Sequence, residues 1–159
     1  MKILNLFKPK KRRGFEVLDE FERYFNSDDA VKIPSRKTSQ SAGYDICAIG
    51  SYVIQPGSKA IINTGLTAYM GEDEWLGLFV RSGLSYEFDL TLQNATGVID
   101  SDFYGNHIRL LLRNEGTEPF IVNHGDRIAQ GIFLPYLKAD EDKASAKRTG
   151  GFGSTGVAA

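Results

Sequence analysis

Residues 52–65, YVIQPGSKAIINTG, decide the reading of this chain. They form two short apolar runs joined at Gln55-Pro56-Gly57-Ser58, a Pro-Gly turn between two strands. Working outward, the same pattern recurs. FDLTLQ (88–93) alternates Phe88, Leu90 and Leu92 inward against Asp89, Thr91 and Gln93 outward, the period of a half-buried strand. WLGLFV (75–80), IRLLLR (108–113), FIV (120–122) and RIAQGIFLPY (127–136) are further strand candidates. Glycine or Asn-Gly-type breaks separate them at roughly ten-residue intervals, which predicts an all-β sandwich or barrel. Only DEFERYF (19–25) has a helical look. No internal repeat is present, and no linker divides the chain after residue 15.

A chain of 159 residues predicts one domain able to bury a single core. Its one cysteine, Cys47, excludes an internal disulfide framework and fits a reducing compartment. With only His107 and His124 to help, a cysteine-rich zinc site is excluded as well. No apolar run approaches the ~20 residues of a membrane-spanning helix. Lys8 interrupts the opening MKILNLF too early for a signal-peptide core, so a cytoplasmic location is expected.

Charge is uneven along the chain. Residues 1–14 carry six basic side chains (Lys2, Lys8, Lys10, Lys11, Arg12, Arg13) and no acid, whereas the remainder carries the other 13 basic and all 20 acidic ones. The first fourteen residues are expected to form a flexible, solvated arm. An acidic remainder predicts no nucleic-acid partner, the basic arm being the one segment that leaves this open.

Five segments mix glycine with polar groups inside the strand-like chain. SAGYDICA (41–48) sets Asp45 between an aromatic and apolar residues at a strand start. RSGLS (81–85) follows an apolar strand: Arg81 brings a fixed charge, Ser82 a hydroxyl, and Gly83 lets backbone N–H groups approach a ligand, a combination suited to phosphate. It is equally an ordinary strand-to-turn transition. In NATGVIDSDFYGN (94–106), Val98 and Ile99 lead into Asp100, Asp102 and the rings of Phe103 and Tyr104. An acid at the end of a buried strand is costly unless it is hydrogen-bonded or working, and an ionised carboxylate can orient and deprotonate water. An Asx turn closing the loop to Gly105 is the alternative.

HGDRIAQGIF (124–133) projects the amide of Gln130 among apolar neighbours. Last comes TGGFGSTG (149–156), preceded by Lys147 and Arg148. Its amides and hydroxyls suit a polyphosphate and Phe152 offers a flat face to a base, yet no Lys-Ser or Lys-Thr follows the glycines as in a Walker A loop.

In this order the five segments closely resemble the five motifs of the homotrimeric dUTP pyrophosphatases (dUTPases), from about Ile33 to Gly156. The resemblance implies a distorted jelly-roll or β-barrel subunit and a homotrimer with sites at its interfaces. It implies Mg2+-dependent hydrolysis of dUTP to dUMP and pyrophosphate, limiting dUTP and supplying dUMP for thymidylate synthesis. Carried over, Asp100 is the catalytic aspartate, with Asp45 and Asp102 supporting it. Asn94 and the backbone of Gly97, Val98 and Ile99 read the uracil edge, and Phe103 packs under the deoxyribose. Ser82, Gly83 and Gln130 take phosphates, with Arg81 bracing the site. Phe152 stacks over uracil, and Gly153, Ser154 and Thr155 close on the terminal phosphate. No protein metal cage is expected, because substrate phosphates and water hold the Mg2+.

Three departures are visible. Phe103 stands where tyrosine is usual, and Val80 where proline is common. The usual arginine slot of the fifth motif holds Lys147, one residue before Arg148; we assign the phosphate contact to Arg148 for its planar fork. The implied organisation is a basic arm (1–14), a β domain (15–146) and a mobile glycine-rich lid (147–159). A dCTP deaminase, related in fold, is disfavoured because IRLLLRN (108–114) contains no acid. A nucleotide-gated binding module is the other alternative. Trp75 is expected in the core, Cys47 as a small buried hydrophobe, and His107 and His124 in structural positions.

Overall fold

The computed structural model describes residues 11–24 and 30–151. Among these, ten antiparallel strands dominate: β1 (Gly14–Val17), β2 (Tyr44–Cys47), β3 (Tyr52–Ile54), β4 (Lys59–Tyr69), β5 (Glu74–Val80), β6 (Leu90–Leu92), β7 (Gly97–Asp100), β8 (Ile108–Asn114), β9 (Phe120–Val122) and β10 (Arg127–Pro135). A 3-10 helix spans Asp19–Tyr24, one α-helix, α1, spans Ser82–Phe88, and a 3-10 turn spans Ser101–Phe103. The strands form sheets ordered β1-β4-β8-β6, β2-β10-β5-β7 and β3-β9. No helix among the described residues is long and apolar enough to cross a membrane.

Period-two alternation accounts for the core. Along β8, Ile108, Leu110 and Leu112 are buried, while Arg109 between them is exposed. They meet Ile62 and Leu66 of β4, Ile46 of β2, Leu76 and Leu78 of β5 and Ile128 of β10 in one cluster. Each such side chain contributes about 1.5–3 kcal/mol by leaving water. Asn114 ends β8 fully buried; its Nδ2 donates to Ile54 O (2.9 Å) and Glu118 O (2.8 Å), and its Oδ1 accepts from Gly116 N–H (2.9 Å). Every side-chain dipole there is used, which is what burial of an amide demands.

The Pro-Gly turn forms: Ser58 N–H donates to Gln55 O at 2.9 Å, and Gly57 adopts φ +70°, which favours glycine. It does not close a hairpin, however. β3 pairs with β9 and β4 with β1 and β8, so the turn passes the chain between sheets.

Two local expectations change. Leu90 and Leu92 are buried as predicted, but Phe88 closes α1 and is 47% exposed, its ring packed on Phe120 at 5.2 Å. RSGLS therefore opens a helix rather than a turn. That helix buries no residue and has no side-chain cap, so neither periodicity nor capping advertised it. Asp89, at φ 52°, ends it and turns the chain into β6. At the start of β5, Trp75 is half-buried while Glu74 is the buried residue. Glu74 is ion-paired to Arg13 and accepts from Gly71 N–H at 3.1 Å; the Arg13 hydrogen bond, foremost, holds its carboxyl below the usual range. Arg12 pairs with Asp73 at 3.3 Å, so the last two basic residues before β1 are tied to the β4–β5 turn.

Candidate active site

Three of the five segments converge because β2, β10 and β5 are neighbours in one sheet. Gln130 of β10 lies opposite Asp45 of β2, and Ala129 opposite Val80, the last residue of β5. Arg81, Ser82 and Gly83 leave β5 beside them, and with Asp45 and Gln130 they line a pocket of about 460 Å3. Asp45 receives Arg81 Nε at 3.1 Å and Arg127 Nη1 at 2.8 Å, and Arg81 Nη1 also donates to Arg127 O at 3.1 Å. One carboxylate thus locks two guanidinium groups in place. Gly43 lies so close to Gln130 that a Cβ would come within 2.3 Å of Gln130 Oε1. At Gly83 a Cβ would meet nothing within 4 Å, leaving that backbone open to a ligand.

The third segment lies elsewhere on the sheet. In the turn between β6 and β7, which passes the chain from one sheet to the other, Ala95 adopts φ +58° and Thr96 N–H donates to Asn94 O at 2.6 Å. Asn94, Gly97, Val98 and Ile99 border a second, largely apolar groove of about 460 Å3, floored by Leu78, Leu92 and Leu110. Ile99 is buried and Val98 faces solvent. Asp100 ends β7 opposite Trp75, and the following 3-10 turn buries Phe103 while Asp102 stays half exposed.

Arg148 reaches back to this turn. Its Nη2 is ion-paired with Asp100 Oδ2, its Nε donates to Asp102 Oδ1 at 2.9 Å, and its guanidinium lies 5.6 Å from the centre of the Phe103 ring. The hydrogen bond to Asp102, first, and the two negative charges raise its pKa further, so it is always charged. Of the fifth segment, Phe152, Gly153, Ser154 and Thr155 lie outside the described residues.

The two halves are apart in one chain. Asp100 is opposite Trp75 and Gln130 opposite Phe79, on either side of β5. Four residues of strand and two strand spacings put Asp100 and Gln130 roughly 16 Å from each other.

Some residues near these segments were not foreseen. Arg127 shares Asp45 with Arg81, and Lys37 joins the pocket from the loop before β2. Thr67 Oγ1 accepts from Gly105 N–H at 2.9 Å, tying the segment after Phe103 to β4. His107 Nε2 accepts from Gly65 N–H (3.0 Å) and Thr64 N–H (3.3 Å) at the point where the β4–β8 register slips. Burial pushes His107 below its usual pKa, with Arg109 adding to the effect and Glu20 opposing it. His124 Nδ1 accepts from Gly50 N–H at 3.2 Å, also a structural contact. Cys47 is half-buried, and burial raises its thiol pKa. No local pattern announces these partnerships, each of which joins distant stretches of chain.

Residues 29–156 match the model of the dUTPase family. The chain belongs to that family. The deoxyuridine 5'-triphosphate nucleotidohydrolase of Lactococcus lactis subsp. lactis (strain IL1403) is 42% identical over 154 residues, covering 92% of this chain and 99% of the relative. That of Desulfitobacterium hafniense (strain DSM 10664 / DCB-2) is 42% identical over 143 residues, 84% and 93% of the two chains. Among solved structures, the dUTPase of Streptococcus mutans superimposes with a TM-score of 0.71 at 33% identity, over 80% of this chain and 98% of that one. The expected all-β dUTPase fold is thereby borne out. A mutant dUTPase from phage phi11 of S. aureus, which coordinates a structural Mg(II) ion, shares the fold at 21% identity and TM-score 0.69, over 86% and 98%.

Proposed function

We propose that this dUTPase-family chain hydrolyses dUTP to dUMP and pyrophosphate by attack of water on the α-phosphorus. The observation that carries the reading is the convergence of Asp45, Arg81, Ser82, Gly83 and Gln130 on one cationic pocket. Here the locked arginines neutralise phosphate charge, while the Ser82 hydroxyl, the open Gly83 backbone and the Gln130 amide supply hydrogen bonds. Two relatives that are deoxyuridine 5'-triphosphate nucleotidohydrolases cover 92% and 84% of this chain.

Asp100 is the base. Its carboxylate holds a water in line, takes a proton from it, and the bond from the α-phosphorus to the bridging oxygen breaks to release pyrophosphate. Before substrate enters, Arg148 steadies Asp100, with Asp102 anchoring the arginine. Asn94 and the backbone of Gly97, Val98 and Ile99 receive the uracil edge, and Phe103 packs beneath the sugar. Arg148 then exchanges its carboxylate contacts for phosphate as residues 149–159, with Phe152, Gly153, Ser154 and Thr155, close over the substrate.

Among the described residues no three His, Cys, Asp or Glu side chains gather as a cation site. A hard cation held by phosphate oxygens and water asks for no such cluster, and Mg2+ so held would supply charge neutralisation of the triphosphate. The roughly 16 Å between Asp100 and Gln130 favours a homotrimer, in which the β6–β7 turn and Asp100 of one copy face the pocket of another. A single unpaired cysteine fits a cytoplasmic enzyme.

The test is a substrate panel of dUTP, dCTP, dTTP and UTP with Mg2+. Pyrophosphate release confined to dUTP is expected. Ammonia from dCTP would make the protein a deaminase, and inertness towards all four would leave a binding module.

A further inference from the structure

The loop before β2 is built to hold one side chain out. Asp45 N–H donates to Ser35 O at 2.9 Å, so the loop starts and finishes at the same place. Within it Thr38 and Ser41 bind each other: their hydroxyls lie 2.7 Å apart, and Ser41 N–H donates to Thr38 Oγ1 at 3.1 Å and to Thr38 O at 3.2 Å. Arg36 staples the outside. Its Nη1 donates to Ser39 O and Ser41 O, both at 2.9 Å, and its guanidinium lies 5.7 Å from the Tyr44 ring centre. Arg36 is thereby occupied with the loop itself, whereas the next residue, Lys37, borders the pocket with Ser82, Gly83 and Gln130.

The charges of that pocket are unequal in freedom. Arg81 and Arg127 are both committed to Asp45, and Arg81 additionally to Arg127 O. Lys37 has no ion-pair or hydrogen-bond partner among the described residues. It is the pocket's uncommitted cation, with three N–H donors and a flexible stem. A triphosphate entering here would find two arginines already partly neutralised by Asp45 and one ammonium that is not.

We propose that Lys37 is a phosphate-binding residue of this chain, presented by the self-bonded 35–45 loop to the β/γ end of the bound triphosphate. This rests on the reading of the pocket as the phosphate site. The loop's rigidity comes from backbone, Arg36, Thr38 and Ser41, so the Lys37 side chain is dispensable for the fold and its removal reports on ligand alone.

The experiment compares wild type with Lys37→Met and Lys37→Arg at fixed ionic strength. For Lys37→Met, KM for dUTP is expected to rise about tenfold with kcat within about twofold, because a contact made equally in ground and transition states moves KM alone. Competition by inorganic tripolyphosphate should weaken by a similar factor, while dUMP binding and the melting temperature stay unchanged. Lys37→Arg should recover most of the loss. Unchanged KM and unchanged tripolyphosphate affinity in Lys37→Met would overturn the proposal, as would equal weakening of dUMP. Calorimetry with tripolyphosphate needs no turnover. If wild type failed to hydrolyse dUTP, the functional reading would fall and calorimetry would still decide Lys37: weaker binding by Lys37→Met supports it. Equal binding, or none by wild type, overturns it.

Discussion

Arg148 bridges Asp100 and Asp102, two acids on either side of Ser101 at the end of β7, and covers the Phe103 ring at the same time. An arginine from near the C-terminus thus fixes the orientation of the proposed base before any ligand is present. Replacing it by alanine should lower kcat/KM for dUTP by roughly 10²-fold, since the variant loses both the contact that sets Asp100 in the free protein and the phosphate contact proposed on closure. Arg148→Lys keeps the charge but loses the planar fork, and should recover only part. Steady-state kinetics decide; wild-type kcat/KM in Arg148→Ala would remove Arg148 from the site.

Asp100→Asn is the cleanest test of the base. The amide is nearly isosteric but cannot take a proton, so kcat should fall by about 10²–10⁴-fold or more while nucleotide affinity is largely kept. Titration calorimetry with a non-hydrolysable dUTP analogue, beside the turnover assay, separates the two effects. Substantial residual turnover would reassign the base.

Deletion of residues 149–159 should cripple catalysis without lowering the melting temperature appreciably. Among the described residues no paired strand extends beyond Pro135, so the sheets formed by those residues do not draw on that segment. Turnover at the parental rate after truncation would exclude a lid.

Gly43→Ala places a methyl group against Gln130, which must swing away from the pocket. Its backbone is not in the left-handed region, so the effect is one of space. We expect KM for dUTP to rise several-fold with little change in melting temperature, and Gln130→Ala to show a similar KM with no further loss on combining the two.

His107 accepts from Thr64 and Gly65 only while its Nε2 is unprotonated. Its pKa is lowered in the fold, so the unfolded chain binds the proton more readily. Its contribution is complete above the unfolded value of about 6.5 and declines as pH falls towards the folded one. Stability measured by denaturant titration should fall across that window in wild type and less in His107→Gln. His107→Ala, leaving two backbone N–H groups unpaired, should cost about 1–3 kcal/mol at pH 7.5.

Much of the site was legible because its parts are local. Arg81-Ser82-Gly83 and Val98-Ile99-Asp100 each announce themselves by residue type within a few positions. The helix that follows Arg81 was not legible, because Ser82–Phe88 buries no residue and so carries no apolar period. Trp75, expected in the core, is half-buried beside a buried Glu74 for a similar reason: burial of Glu74 depends on Arg13, which lies 61 positions away.

The sequence by itself determined the β class, the turn at Pro56-Gly57 and the five chemistry-bearing segments, since alternation, turn chemistry and residue type act over short range. Tertiary structure alone decided their company. Asp45 holds Arg127 across 82 positions, Lys37 borders the pocket without an ion-pair partner among the described residues, and Asp100 stands across β5 from Gln130. The physical reason is strand pairing: register chooses which distant side chains become neighbours, and no local pattern records that choice.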